Sequence, residues 1–182
     1  MANTMKPVPF EQMPNFFECL LSEHEKYGVL FIFGIKTGLR ISDILRLRAG
    51  DIKRNMRVHE SKTKKVKAIC HSDEMLAFFE KYIARHRLEK TDAFIYSSRT
   101  NKKKAVSRVQ AYRVFKAVAE TEGMQDIGTH SMRKTFASTA LKATGSFKSV
   151  QRLLSHEDID TTIRYFVDLS QLAEKIQKGK ID

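Results

Sequence analysis

Cysteine is scarce: Cys19 and Cys70 are the only two in 182 residues, they form no CxxC pair, and they cannot supply the disulfide framework of a small secreted domain. Both are expected to be ordinary, partly buried thiols. No stretch reaches the roughly 20 apolar residues that span a bilayer, and Met1 to Phe10 lacks the apolar core of a signal peptide. The expectation is a soluble, cytoplasmic protein with no membrane partner. No Pro/Gly-rich linker, internal repeat or low-complexity tract divides the chain, so residues 1–182 read as one domain, whose 42% hydrophobic content can bury one core. A Walker-type glycine loop and an acidic cluster suited to Mg²⁺ are also missing, and no metal or other cofactor is expected.

Negative charge is in deficit. Twenty-one Asp and Glu stand against 33 Lys and Arg, a formal net charge of +12, which favours a polyanionic partner. Nucleic acid is the commonest; charge alone does not exclude acidic lipid.

Apolar spacing outlines a mainly α-helical domain. Phe16, Phe17, Leu20 and Leu21 mark a helix after Pro14, and Leu30 to Ile35 a second that stops at Gly38. A short helix holds Ser42 to Leu47. Between Arg57 and Cys70, Val58 and the alternating Val66 and Ala68 flank a polar Ser61-Lys62-Thr63-Lys64 tip, the pattern of a β-hairpin. Helical spacing returns at Met75 to Ile83 and at Val109 to Val118, the latter ending at Gly123. Thr129, Ser146 and Asp160 are candidate N-caps for three further helices, running through Lys142, through Leu154 and around Tyr165. The fold class is therefore α+β: mainly helical with a small antiparallel sheet.

Several side chains could bind or attack a phosphate. His130 and Arg133 lie three apart at a helix start, where backbone N–H groups also favour an anion. Arg40 follows Gly38-Leu39, with Asp43 three residues later and able to orient the guanidinium. Taken alone, each pair is more often a structural ion pair or surface contact. His156 and Tyr165 would sit on opposite faces of one helix, but Glu157 to Asp160 reads as a turn that lets them converge. A tyrosine with a pKa of about 10 needs a proton acceptor and cations before it can react. Lys62 shares the hairpin tip with Lys64 and Lys65, and these two, with Lys102, Lys103 and Lys104, are candidate contacts to a phosphate backbone.

In this order and spacing the segments resemble the tyrosine recombinase family of phage and transposon integrases. Thr37 to Asp43 (TGLRISD) resembles its first arginine box, Ser61-Lys62-Thr63 the hairpin with its catalytic lysine, and His130-Ser131-Met132-Arg133 its HxxR box. Leu153 to His156, followed by Thr161 to Tyr165, resembles the segment with the last histidine and the nucleophile. The likeness runs from about Pro7 to the end of the chain. Two positions depart from the pattern: Lys134 stands where a histidine is usual, and the segment after Lys62 lacks the common Ile-Pro ending.

The resemblance implies the DNA breaking-rejoining catalytic-domain fold and a site-specific recombinase or integrase, bacterial or phage-encoded and nucleoid-associated. The N-terminal core-binding domain of the family is expected to be absent, because the catalytic segment begins almost at once. It further implies that Tyr165 attacks a phosphodiester to leave a 3′-phosphotyrosyl link, without metal or ATP. Arg40, Arg133 and His156 would hold the phosphate, His130 would take the tyrosine proton, Lys62 would protonate the 5′-oxygen, and Asp43 would support Arg40. Double-stranded DNA is the implied partner, with a monomer off DNA, a tetramer on synapsed DNA, and accessory DNA-bending proteins as candidates. The tail from Leu169 to Lys180, with Leu172 and Ile176 in register, would pack on its own domain or a neighbouring protomer. The competing readings are a type IB topoisomerase-like enzyme, a DNA-binding regulator with a degenerate site, and a metal-dependent nuclease built on His130 and His156.

Overall fold

A computed structural model describes residues 5–89, 92–98, 101 and 103–154. The expectations for Lys102, His156, Tyr165, the Asp160 cap and the Leu169 to Lys180 tail fall outside these residues.

The longest element, α1 (Met13–Thr37), runs through the centre of the core, and Phe16, Leu20, Leu30, Phe31 and Phe33 on it are fully buried. Pro14 suits the first turn, where its missing N–H is not needed. The two helices read from the sequence are one run broken at His24, whose φ of −147° and ψ of 63° are not helical. Across that break the backbones close in, so that a Cβ on Gly28 would lie 2.8 Å from the Leu21 Cα; only glycine fits there. Gly38 ends the helix as read, at φ 62° and with its N–H on the Gly34 carbonyl.

The short helix α2 (Ile41–Ile44) follows, shorter than the Ser42 to Leu47 expected. A 3₁₀ turn at Ala49–Asp51 leads into the hairpin of β1 (Asn55–His59) and β2 (Val66–Cys70). Its register pairs Met56 with Ile69 and Val58 with Lys67. Met56 and Val58 are buried as period two requires. On β2 the phase is opposite to the expected one: Val66 and Ala68 face solvent, and Lys67 and Ile69 turn inward. Register decides this, because directly opposed residues share a face.

Three helices follow: α3 (Asp73–Arg85), α4 (Arg108–Thr121) and α5 (Ser131–Thr144). Ser72 and Ser107 cap α3 and α4 with their hydroxyls. Thr129 does not cap α5; the N-cap position is His130, with no side-chain cap bond, while Ser131 Oγ accepts from the Gly128 N–H at 3.1 Å. Gly145 closes α5 in the left-handed conformation, and Ser146 caps α6 (Phe147–Leu153) as expected.

Helices α4 and α5 pack on α1, and Phe115 meets Phe31 edge-on at 6.1 Å. A smaller cluster of Ala137, Val150 and Leu154, flanked by Phe136 and Leu141, joins α6 to α5. Cys19 is half-buried as expected, but Cys70, on the outward phase of β2, is exposed. No helix of the described residues is long and apolar enough to cross a membrane.

Candidate active site

The turn at Gly38 releases Arg40 in an extended conformation, φ −70° and ψ 144°, and the reversal aims its guanidinium at the hairpin. There Arg40 Nη1 donates to Glu60 Oε1 at 2.9 Å, and Glu60 is buried to 1% exposure. The same oxygen lies 3.6 Å from Arg133 Nη1. Two arginines far apart in the chain thus converge on one buried carboxylate. Glu60 is held in turn by Thr63, whose hydroxyl donates to Oε2 at 2.9 Å, and by the Lys64 N–H on its carbonyl at 2.9 Å.

Arg133 enters from the first turn of α5 and is 2% exposed. Its Nη1 donates to the Gly38 carbonyl at 2.7 Å and its Nη2 to the Leu154 carbonyl at 2.5 Å, so one planar fork joins the Gly38 turn to the end of α6.

Asp43 does not orient Arg40. Its buried Oδ1 instead accepts from the Ser61 N–H at 3.0 Å, the Ser61 hydroxyl at 2.5 Å and Arg46 Nη2 at 2.9 Å. The carboxylate therefore fixes the hairpin tip, one residue before Lys62. The orienting role expected of it belongs to Glu60, because the extended backbone of Arg40 turns that side chain away from α2. A sequence signal existed for Glu60: it continues the inward period-two face of Met56 and Val58.

Lys62 is exposed at the tip, and among the described residues its ammonium has no hydrogen bond or ion pair. Lys64 takes a positive φ of 58° and, like Lys65, is exposed. Lys103 and Lys104 are exposed too, in a loop closed by the Ser97–Ala105 bridge.

His130 meets solvent, yet the protein atoms around its ring disfavour an imidazolium, and Arg133, Lys134 and Arg40 repel it. Together they push its pKa down to about 4. The ring is therefore neutral at pH 7. Lys134, at the position departing from the family pattern, is buried.

Lys67 escaped the sequence reading altogether. Loss of hydration, then repulsion from Arg133 and Arg40 and opposed by Glu60, lowers its pKa to about 8. The site thus gathers three cationic side chains around one carboxylate, an excess of positive charge suited to a phosphate. A surface cavity of about 450 Å³ lies elsewhere, between Met5, Tyr112, Lys116 and Asp126, and none of these cations lines it. Among the described residues no three His, Cys, Asp or Glu side chains gather as a metal site would require.

The profile of the phage integrase family matches residues 9–171. A curated relative named "Probable integrase/recombinase YoeC", from Bacillus subtilis (strain 168), is 34% identical over 174 residues, covering 93% of this chain and 94% of its own. A crystal structure of XerA recombinase superposes with a TM-score of 0.75 at 17% identity, over 98% of this chain and 65% of that one. XerH site-specific recombinase, in a post-cleavage complex on a palindromic difH substrate, matches with a TM-score of 0.72 at 16% identity, over 95% and 53%. The fold is therefore that of tyrosine recombinase catalytic domains. Against other curated tyrosine recombinases the chain spans about half of their length, 54% for XerA of Pyrococcus furiosus.

Proposed function

Because this chain belongs to the phage integrase family of site-specific DNA recombinases, we propose that it breaks and rejoins double-stranded DNA through Tyr165. The single observation that carries the reading is the convergence of Arg40 and Arg133 on Glu60 Oε1.

The phenol oxygen of Tyr165 attacks the scissile phosphorus, and its proton passes to His130. The bond from phosphorus to the 5′-oxygen breaks, and Lys62 at the tip of the hairpin gives that oxygen a proton. Arg40 and Arg133 donate to the non-bridging oxygens and offset the extra charge of the pentacoordinate transition state, with His156 adding a further hydrogen bond. The products are a 3′-phosphotyrosyl link and a free 5′-hydroxyl. Bond energy is conserved, so a 5′-hydroxyl from a partner strand can reverse the steps without ATP.

Residues 1–182 act as one catalytic domain, monomeric off DNA and tetrameric on a synapse, and Lys64, Lys65, Lys102, Lys103 and Lys104 add backbone contacts. Accessory DNA-bending proteins and association with the nucleoid complete the proposed setting.

The test is covalent trapping. Nicked labelled DNA and supercoiled plasmid are incubated with the protein in EDTA, quenched in SDS, and compared with Tyr165→Phe. A protein–DNA adduct present in the parent and lost in Tyr165→Phe is the expected result. No adduct on the native recombination site would overturn the proposal, and relaxation without strand exchange would move it to the topoisomerase-like reading.

A further inference from the structure

The inward face of β2 carries a lysine. Lys67 is half-buried opposite Val58, its Nζ donates to the Leu153 carbonyl at 2.5 Å, and the same nitrogen lies 5.1 Å from the centre of the Phe136 ring on α5. One residue further along the chain, the Leu154 carbonyl accepts from Arg133. The last carbonyls of a helix have no partner inside it and carry the negative end of its dipole. Two cations from two separate elements, β2 and α5, therefore hold the C-terminal end of α6.

We infer that Lys67 is a positioning residue for strand cleavage: it clamps the strand that follows the Lys62 tip to the end of α6, from which the chain runs on to His156. This rests on the function proposed above. The Lys67–Leu153 bond is a directed hydrogen bond between the hairpin and the end of α6, and it resists sliding better than apolar contact does.

The charged groups facing Lys67 make the clamp responsive to DNA. Arg133 from α5 and Arg40 before α2 repel it, and Glu60 from the hairpin attracts it. With its pKa near 8, Lys67 is only partly committed to its proton in mildly alkaline solution. A phosphate between the two arginines offsets their repulsion, restores the proton and strengthens the bond to Leu153. An arginine at this position would stay charged at any pH of interest.

The experiment compares the parent chain with Lys67→Met and Lys67→Arg by two readouts. Without DNA, hydrogen exchange followed by mass spectrometry should show the α6 segment of Lys67→Met exchanging about tenfold faster, with α1 and α4 unchanged and Lys67→Arg close to the parent. With saturating nicked DNA, adduct formation by Lys67→Met at pH 7 should slow by about tenfold or more. Raising the pH from 7 to 9 at subsaturating DNA should slow the parent more than Lys67→Arg.

A third substrate separates positioning from proton donation. DNA with a 5′-bridging sulfur has a leaving group that needs no proton, so the Lys67→Met defect should persist on it. Full recovery there would make Lys67 the acid and overturn the inference, as would unchanged exchange in α6. If the parent forms no adduct at all, the proposed function falls, and the exchange measurement by itself decides the clamp.

Discussion

The Arg133 guanidinium donates to the carbonyl oxygen of Gly38 at 2.7 Å, tying the HxxR helix to the turn that delivers Arg40. That carbonyl is where it is because Gly38 adopts φ 62°, a conformation that costs an L-residue about 1–2 kcal/mol. A Cβ at this position would also run into the Phe136 ring. Gly38→Ala should therefore lower stability by about 2 kcal/mol or more, and slow adduct formation further than the unfolded fraction explains. Thermal unfolding together with single-turnover cleavage checks both parts.

Glu60 is the counter-charge of the site. Removing one partner of a buried ion pair typically costs about 3–5 kcal/mol, because the survivor keeps its desolvation penalty. Glu60→Gln leaves Arg40, Arg133 and Lys67 facing one another without a carboxylate, so its melting temperature should drop. Added sulfate should recover more stability in this variant than in the parent. Equal recovery in both would remove Glu60 as the charge that Arg40 and Arg133 share.

Arg133→Lys keeps the charge and loses the fork that reaches Gly38, Leu154 and Glu60 together. Losing one preorganised donor in a site of this kind costs about 2.7–4 kcal/mol of transition-state stabilisation, or roughly two to three orders of magnitude in rate. Single-turnover rates on nicked DNA should fall by that amount while DNA binding changes little. A rate within a few-fold of the parent would count against Arg133 as a phosphate ligand.

His130 predicts an acid-side stability slope. Its folded pKa, near 4, lies below the ordinary value of 6.5, so between these limits the unfolded chain binds a proton that the folded chain refuses. The favourable contribution is present above pH 6.5 and is lost as pH falls toward 4. Denaturant unfolding at pH 7, 5.5 and 4.5 should show the parent losing more stability than His130→Asn. Parallel curves would contradict the shift.

Tyr96 is fully buried, its hydroxyl has no hydrogen-bond partner among the described residues, and burial raises its pKa well above the usual value. Tyr96→Phe removes an unsatisfied polar atom, so stability should rise by about 1 kcal/mol. For a chain of this size that is about 2–4 °C in melting temperature. A fall would mean that the hydroxyl is satisfied by water.

Much of the site was legible because its signals are local. TGLRISD, SKT and HSMR carry their residue types in short windows, and apolar spacing with serine or glycine at the ends located most of the helices. Glu60 and Lys67 were missed for opposite reasons. Glu60 obeys the alternation of β1 but is charged, and a charged residue is ordinarily assigned to solvent. Lys67 inverts the alternation read on β2, because Val66 and Ala68 look like the buried phase when the partner strand is not considered.

The sequence alone determined the chemistry on offer: the family, the helix ends at Gly38, Gly145 and Ser146, the arginines and the lysine at the hairpin tip. Each depends on residue identity within a few positions. Only the tertiary structure decided who partners whom. Asp43 went to Ser61 rather than Arg40, Glu60 took both arginines, and Lys67 turned inward to the end of α6. These choices depend on the register of the hairpin and on helices far apart in the chain, and pairing across such distances leaves no local periodicity to read.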